Sequence, residues 1–163
     1  MNFQINLLIC RFFRRCCGPA PDKTAPTADA PRLRLSTAAK SIVSFSTKRG
    51  VWSYCAETNA LKLLAEGDHR SATTAGQDFV YSAPITLIFA VNQAKTERIS
   101  GGRAGAICQS VDVGVMVQNA LLACSAMGLA AVPRAWFEPQ TVLQALGLTS
   151  YDPQMAVTVG FPK

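Results

Sequence analysis

The feature that most constrains this chain is the long uncharged run within residues 103–134. From residue 113 to residue 133 it carries no formal charge, and the amide and hydroxyl side chains within it are Gln118, Asn119 and Ser125. At helical spacing, apolar side chains fall on two opposite faces: Val111, Val115, Leu122 and Leu129 on one, and Val113, Val117, Leu121 and Cys124 on the other. A helix that is apolar on every side is buried on every side. The run therefore predicts a long buried helix over about residues 103–128, in a domain centre, at a subunit interface or in a bilayer.

The composition of this run disfavours the bilayer. About 20 apolar residues suffice to span a membrane, but many residues here are Ala, Gly or Ser, and Gln118 and Asn119 lie side by side near the centre. Central polar groups raise the free energy of insertion into hydrocarbon. A buried helix whose small residues allow another helix to approach closely is favoured. Gly128 is predicted to close it in a left-handed conformation.

The basic charge of the chain is confined to its first 50 residues. The formal net charge is +6, and residues 1–50 contain nine Lys and Arg against two Asp and Glu, whereas residues 51–163 contain seven against eight. A nearly neutral globular part gives no electrostatic footprint for nucleic acid, and no membrane partner is expected. Residues 1–49 are predicted to be an atypical basic segment outside the folded core: a transit peptide, a basic tail or sequence foreign to the domain. Residues 50–163 are predicted to form the domain.

The cysteines and the single histidine determine the redox and metal predictions. Six cysteines are scattered along the chain without a Cys-x-x-Cys motif, and His69 is the one histidine. A zinc site of the Cys/His type is therefore not expected, and no metal ligand is predicted. Buried, reduced thiols are typical of a cytosol-like compartment, so we expect a cytoplasmic protein.

From residue 50 onward the pattern predicts alternating strands and helices. The predicted strands are Val51–Tyr54 and Ala60–Leu64, which form a hairpin, and the apolar runs Ile85–Val91 and Met155–Val159. The predicted helices are His69–Gln77 with Asp68 as its cap, the long buried helix, and Pro139–Leu146 closed by Gly147, with a turn at Asp152-Pro153. This order predicts an α+β fold with a covered sheet.

Four pieces of this pattern resemble the FMN-dependent nitroreductase family, especially its short members near the SagB-type dehydrogenases. They are GVWSYCAETNALKLLAEGDHR, the strand QDFVYSAPITLIFAV, the helix DVGVMVQNALLACSAMGLAAV and the ending MAVTVGFPK. The resemblance covers residues 50–163. It implies an α+β fold with a mixed sheet flanked by helices, in which the long helix lies at the interface of an intertwined homodimer.

The same resemblance implies FMN as the cofactor and NAD(P)H as the reductant. In this family a reduced nicotinamide gives hydride to flavin N5, and the flavin then reduces an electron-poor acceptor such as a nitroaromatic or a quinone. Because the flavin carries the redox chemistry, the protein supplies position and electrostatics. No catalytic side chain is predicted.

The cofactor contacts implied by the resemblance fall in three places. Residues 24–28 resemble a short segment that presents a hydroxyl and main-chain amides to the flavin. The loop of residues 131–136 matches the family loop whose main chain faces the N5/O4 edge, although a plain helix-to-helix turn is the alternative. The C-terminal residue falls near a basic position that contacts the phosphate, and the side chain of Arg134 is a candidate partner for an anionic nicotinamide or acceptor. The residues implied are Pro26, Thr27, Pro133, Arg134, Ala135, Trp136 and Lys163.

The N-terminal part departs from the family pattern. The family motif Arg-Arg-Ser-x-Arg, which grips the FMN phosphate, has no counterpart, because Arg14-Arg15 is not followed by Ser-x-Arg. The segment DAPRLRLSTAAKSIVSFSTKR stands where a strand is expected. One hypothesis is a reading-frame disturbance between about Asp29 and Gly50, in a member that is N-terminally truncated or frame-disturbed. Translating the encoding DNA in all three frames tests it.

Three functions remain open on the sequence. The favoured one is an FMN-dependent oxidoreductase that transfers hydride from NAD(P)H to an electron-poor acceptor. The first alternative is a degenerate nitroreductase-like fragment without stable flavin or catalysis, because each charge-assisted hydrogen bond lost from the phosphate site removes roughly 1.5–3 kcal/mol. The second is a single-span membrane protein that uses Val113–Val132 as its span.

Overall fold

A six-stranded sheet forms the centre of the molecule. The computed structural model describes residues 41–55, 60–94 and 102–162. The strands are β1 (Ser41–Thr47), β2 (Gly50–Cys55), β3 (Ala60–Glu66), β4 (Ile85–Asn92), β5 (Ala130–Arg134) and β6 (Tyr151–Gly160). They lie in the order β3-β2-β1-β4-β6-β5, with every pairing antiparallel. The predicted α+β class is confirmed, whereas the predicted mixed sheet is wrong for these strands.

Helices cover both faces of the sheet. They are a 3-10 helix (Arg70–Thr73), α1 (Phe79–Ser82), α2 (Gly102–Ala126) and α3 (Pro139–Leu146). Because successive side chains of a strand point to opposite faces, β4 serves two hydrophobic clusters. Leu87, Phe89 and Val91 pack with α2, whereas Ile88 packs with Val142 and Leu146 of α3. The sheet is thus the shared wall between α2 and α3.

One face of α2 is buried in the single chain, and the other is not. Val113, Val117, Ala120 and Cys124 are at most 5% exposed and pack against β4 and β6. On the outer face Ile107, Val111 and Leu122 are 52%, 57% and 59% exposed. The predicted burial on every side is therefore wrong for one chain, because a single sheet covers a single helix face. Of the predicted faces, Val113, Val117 and Cys124 are buried and Val111 and Leu122 are exposed, as the division predicts. Leu129, predicted on the face of Val111, packs against the core cluster instead.

The length and composition of α2 also bear on the membrane alternative. Of the described helices, the stretch Gly105–Ala126 is the one long and apolar enough to cross a membrane. The core helix of a globular domain meets the same criterion. Here the inner face of α2 packs along β4, β5 and β6. The packing holds for this face alone, since 22% of the candidate span is buried.

Strand β1 corrects the predicted domain boundary. Residues Ser41–Thr47 pair with β2 on one side and with β4 on the other, at the centre of the sheet. The sequence predicts a core that begins at residue 50, and that boundary is too late. Within it Ser44 and Ser46 are fully buried. Residues 1–40 are outside the described part of the chain.

Three smaller predictions are also corrected. The predicted turn at Asp152-Pro153 lies inside β6, where Pro153 pairs with Ala90 beside an irregularity in the register. The region after α2 contains the edge strand β5 rather than a loop alone. The helix predicted over residues 69–77 is reduced to one 3-10 turn, although the Asp68 carboxylate does accept a hydrogen bond from the Arg70 amide.

The other local predictions are confirmed. The hairpin is β2–β3, the apolar run is β4, and α3 spans Pro139–Leu146. Gly128 follows α2 with φ 69° and Gly147 caps α3 with φ 64°, both in the left-handed region that glycine adopts without strain. These signals are local, and they did not depend on the tertiary fold.

Candidate functional site: the end of strand β5

Four of the predicted cofactor-binding residues lie together at the end of β5. Pro133 and Arg134 are the last two residues of the strand, and Ala135 and Trp136 follow it on the surface. The side chain of Trp136 is 75% exposed. Neither the Ala135 N–H nor the Trp136 N–H has a hydrogen-bond partner among the residues that the structure describes. The loop therefore offers two free main-chain donors beside an exposed aromatic ring.

The edge position of β5 explains how a proline fits there. The strand pairs with β6 alone, and Pro133 lies opposite Val157. Proline has no N–H to donate, and it is tolerated on edge strands for this reason. The predicted contacts of Pro26, Thr27 and Lys163 fall outside the described residues and stay predictions.

The guanidinium of Arg134 is turned into the protein. Arg134 is 5% exposed, and its Nε donates to Thr158 Oγ1 at 2.9 Å. Of the two terminal nitrogens, Nη1 donates to the Thr73 carbonyl and Nη2 donates to Thr73 Oγ1 at 3.1 Å. The group also lies 5.8 Å from the centroid of the Phe79 ring. Burial lowers the pKa of Arg134 from its ordinary value. The predicted use of this charge for an anionic ligand at the surface is therefore wrong, because the guanidinium is engaged inside the fold.

A second buried arginine, Arg70, was not singled out from the sequence. It is 3% exposed and forms a salt bridge of 2.6 Å with Asp68. Its Nη1 donates to the carbonyls of Tyr81 at 3.0 Å and Ala83 at 2.7 Å. The side-chain hydrogen bond from Arg70 lowers the pKa of Asp68, and the same bond raises the pKa of Arg70. The two-residue spacing of Asp68 and Arg70 was a usable signal for this pair.

The two arginines fix the segment of residues 68–83 in different ways. Arg70, near the start of the segment, donates hydrogen bonds to the Tyr81 and Ala83 carbonyls at its end. Arg134 of β5 joins Thr73, in the middle of the segment, to Thr158 of β6. Thr73 is 61 residues from Arg134, so no local sequence pattern indicates their contact. The end of β5 is thus connected by hydrogen bonds to the segment of residues 68–83.

The outer face of α2 is the other unusual surface. Its exposed side chains from residue 106 to residue 126 carry no formal charge; they include Ile107, Ser110, Val111, Gln118, Leu122 and Ser125. A Cβ added at Gly114 would meet no atom within 4 Å. This uncharged stripe is suited to packing against another apolar or small-residue surface.

Ala135 and Trp136 supply main-chain groups of the kind that one edge of a flavin would need. Flavin N5 and O4 can accept hydrogen bonds, and the free donors of Ala135 and Trp136 are groups of the required kind. The phosphate of FMN needs cationic partners, and the described Arg70 and Arg134 are both engaged internally. Among the described residues, no group of His, Cys, Asp or Glu side chains could hold a metal ion.

Comparison with known proteins identifies the same family that the sequence resembles. The nitroreductase family model matches residues 33–161. A Methanocaldococcus jannaschii protein that bears the name "Putative nitroreductase MJ1384" is 30% identical over 142 residues. These are 85% of this chain and 70% of that protein. The family match begins before residue 50 and includes β1. The observation that motivated the frame-disturbance hypothesis therefore no longer holds for residues 41–49, where the expected strand is present.

Solved structures of other proteins share the fold. A nitroreductase-type protein from Ralstonia eutropha superposes with a TM-score of 0.77 at 23% identity, covering 96% of this chain and 72% of that one. The NADPH:FMN oxidoreductase of Vibrio harveyi, solved with NAD+, gives a TM-score of 0.61 at 18% identity, covering 96% of this chain and 60% of that one. At these low identities the superpositions show a shared fold only. The family model, which spans most of the chain, shows that the chain is related to nitroreductases. The chain belongs to the nitroreductase family of oxidoreductases.

Proposed function

We propose that this protein is an FMN-dependent oxidoreductase that uses NAD(P)H to reduce an electron-poor acceptor of the nitroaromatic or quinone type. Membership of the nitroreductase family supports the oxidoreductase class. The observation that carries the cofactor proposal is the pair of unpartnered N–H groups at Ala135 and Trp136, which occupy the loop where the family resemblance puts the flavin edge.

The chain's own residues would position the cofactor rather than react. When bound, FMN supplies the transfer of two electrons between nicotinamide and acceptor. The main-chain donors of Ala135 and Trp136 would orient its polar edge, and the exposed ring of Trp136 would limit the access of water. Pro26, Thr27 and Lys163 remain the proposed contacts to the rest of the cofactor. No side chain of the described residues is needed as a general acid or base.

We also propose that the protein acts as a homodimer through the outer face of α2. The support is the uncharged stripe that includes Ile107, Val111 and Leu122, each more than half exposed in the single chain. Small residues such as Gly114 leave room for close approach of a second helix. A two-fold arrangement would cover the same stripe on both copies.

The test of the proposed function is the visible absorbance spectrum of the purified chain after FMN is added and excess is removed by desalting. We expect flavin bands that remain with the protein and bleach on addition of NADH or NADPH. A colourless protein would instead favour the degenerate fragment without stable flavin. Bands that remain but do not bleach would contradict the proposal that NAD(P)H is the reductant, and would still support FMN as the cofactor.

A further inference from the structure

We infer that Arg134 is a positioning residue, which fixes the loop of Ala135 and Trp136 by tying the end of β5 to Thr73 and Thr158. It would act on the cofactor through this loop and not by contact. This inference rests on the proposed function, because it gives the loop the role of holding the flavin edge. It assigns the guanidinium a task that the family resemblance does not assign.

The first step of the argument is the position of Arg134. It is the last residue of a five-residue edge strand, and β5 is held along its length by β6 on one side only. Immediately after it the ladder stops, and the next two N–H groups are unpaired within the described structure. Where the ladder ends, the side chain of Arg134 is the group that continues to fix the main chain.

The second step is the number of elements that the guanidinium joins. It donates to Thr158 Oγ1 of β6 at 2.9 Å and to both the carbonyl and the hydroxyl of Thr73, at the end of the 3-10 helix. Because the guanidinium is planar, bonds to two separate elements fix its orientation as well as its place. The Cα of Arg134, one bond from the loop, is fixed with it.

The third step is that Thr73 is itself held by burial and a further hydrogen bond. Thr73 is fully buried, and its hydroxyl donates to the Arg70 carbonyl at 3.1 Å while accepting from Arg134. Arg70 in turn is bonded to Asp68 and to the carbonyls of Tyr81 and Ala83. A continuous hydrogen-bonded chain therefore runs from the surface at Asp68 to the end of β5.

The fourth step concerns why an arginine occupies this place. No carboxylate lies within salt-bridge distance of Arg134 in the described part of the chain. An apolar side chain of similar length would fill the same space without the desolvation of a charge, and such replacements are often neutral or stabilising. What an apolar residue cannot supply is the fixed set of bonds to Thr73 and Thr158. Those bonds, and not the burial, are what the arginine contributes.

A matched pair of variants separates positioning from general stability. Thr158 and Thr86 are cross-strand partners on the same sheet face, and they are 4% and 0% exposed. Thr158→Val removes the acceptor of Arg134 Nε, whereas Thr86→Val removes a hydroxyl that has no partner. Arg134→Lys is the third variant, because a lysine keeps the charge but cannot reproduce the fork.

Two measurements are made on all three variants and on the wild-type chain. The first is the backbone amide order parameter of residues 135–137, from NMR relaxation, relative to that of β4 in the protein without flavin. The second is the Kd for FMN, from quenching of flavin fluorescence. We expect Thr158→Val and Arg134→Lys to lower the order parameters in the loop but not in β4, and to raise the Kd roughly tenfold. Thr86→Val is expected to match the wild type in both.

The outcomes distinguish the inference from the proposed function. If the wild type binds FMN, and Thr158→Val and Arg134→Lys leave both the Kd and the loop order parameters unchanged, the positioning role alone is overturned. An equal fall of the order parameters in the loop and in β4 would also overturn it, because that is a general loosening of the folded chain. A wild-type chain that holds no FMN would overturn the proposed function and the flavin role of Arg134 together.

Discussion

Two buried arginines, Arg70 and Arg134, satisfy their charges in different ways. Arg70 pairs with the Asp68 carboxylate, which is partly exposed, and fills its other donors with carbonyls. Arg134 relies on hydroxyls, one carbonyl and the Phe79 ring. Removing one partner of a buried charge leaves the other uncompensated. The segment of residues 68–83 is therefore sensitive to single substitutions at either arginine.

Asp68→Asn is expected to reduce the amount of unfolding free energy that the protein loses at acid pH. The Arg70 hydrogen bond lowers the pKa of Asp68 in the folded protein. A carboxyl with a depressed folded pKa contributes stability above its unfolded pKa, about 3.9, and loses it as the pH falls through the folded pKa. The free energy of unfolding in urea, measured at about pH 6 and at acid pH, should fall less in Asp68→Asn than in the wild type.

Asp78→Asn is the control for that experiment, because Asp78 is exposed and forms no salt bridge within the described structure. It should retain the wild-type acid dependence. An Asp68→Asn variant with the full wild-type loss of stability in acid would contradict the assignment of this dependence to Asp68.

Cys124 is expected to resist alkylation in the folded protein. Its side chain is fully buried on the inner face of α2, and burial raises the pKa of the thiol to about 11. Because the thiolate is the reactive form, peptide mass spectrometry after iodoacetamide treatment at about pH 8 should show Cys124 unmodified. In denaturant the same residue should become modified at the rate of an ordinary thiol. Rapid labelling of Cys124 under native conditions would contradict the burial of this helix face.

At the scale of elements, the two faces of the sheet differ in chemistry. The face toward α2 is aliphatic and aromatic, with Leu87, Phe89 and Val157. The face toward α3 contains buried hydroxyls, of which Ser44, Ser46 and Thr86 have no hydrogen-bond partner in the described structure. An unpaired buried hydroxyl costs free energy. The polar face is therefore where the sheet can be stabilised by substitution.

Thr86→Val and Thr158→Val are expected to change stability in opposite directions. Thr86→Val removes an unpartnered hydroxyl and should raise the free energy of unfolding, by about 1 kcal/mol. Thr158→Val leaves the buried Nε of Arg134 without its acceptor and should lower it, by about 1–3 kcal/mol. Denaturant unfolding of the two variants beside the wild type measures both effects. Two changes of the same sign would refute the difference in hydrogen bonding that separates these threonines.

The elements that sequence predicted well are those with strong local signals. The ends of α2 and α3 were predictable because Gly128 and Gly147 mark left-handed caps, and β4 was predictable from seven consecutive residues of strand-forming or apolar type. Strand β1 was missed because its buried positions include serines, which read as polar. Strand β5 was missed because it is short and contains a proline, which is compatible with a strand only at an edge.

The candidate site was predictable only in part. The resemblance pointed to residues 131–136, and the Ala135 and Trp136 N–H groups in that range have no hydrogen-bond partner among the described residues. That these groups contact a flavin stays a prediction. It did not indicate the direction of the Arg134 side chain, because its acceptors Thr73 and Thr158 are 61 and 24 residues away along the chain. Contacts between distant segments depend on the packing of the whole sheet, and no pattern in a window of sequence contains them.

At the scale of the whole molecule, the outer face of α2 is the surface that a single chain leaves apolar. Ile107, Val111 and Leu122 are exposed at spacings that place them along one stripe of the helix. In the proposed homodimer this stripe would become interior. The helix predicted to be buried on all sides would then be so in the dimer.

Leu122→Glu is expected to convert the proposed dimer into a monomer. A charge on the stripe would be desolvated at the interface, whereas in a single chain this position is 59% exposed and tolerates it. Light scattering during size-exclusion chromatography measures the molar mass, which should fall by half, and circular dichroism should remain that of the folded chain.

The control for this variant is Thr141→Glu, which adds the same charge at an exposed position of α3. It should leave the molar mass of the wild type unchanged. A Leu122→Glu protein with the wild-type molar mass would contradict an interface on this face of α2.

The pairing of β4 with β6 has a consequence for how the chain is made. Strands β1, β2 and β3 follow one another and pair as neighbours, and β4 pairs with β1 on one edge. The other edge of β4 pairs with β6, which is synthesised only after α2, β5 and α3. Until residues 151–160 emerge, β5 has no strand to pair with. The inner face of α2 also lacks two of its packing partners, Val157 and Val159. Such late, non-local closure slows folding and leaves apolar surface uncovered in the meantime. A nascent chain of this protein should thus depend on chaperones until β6 has left the ribosome.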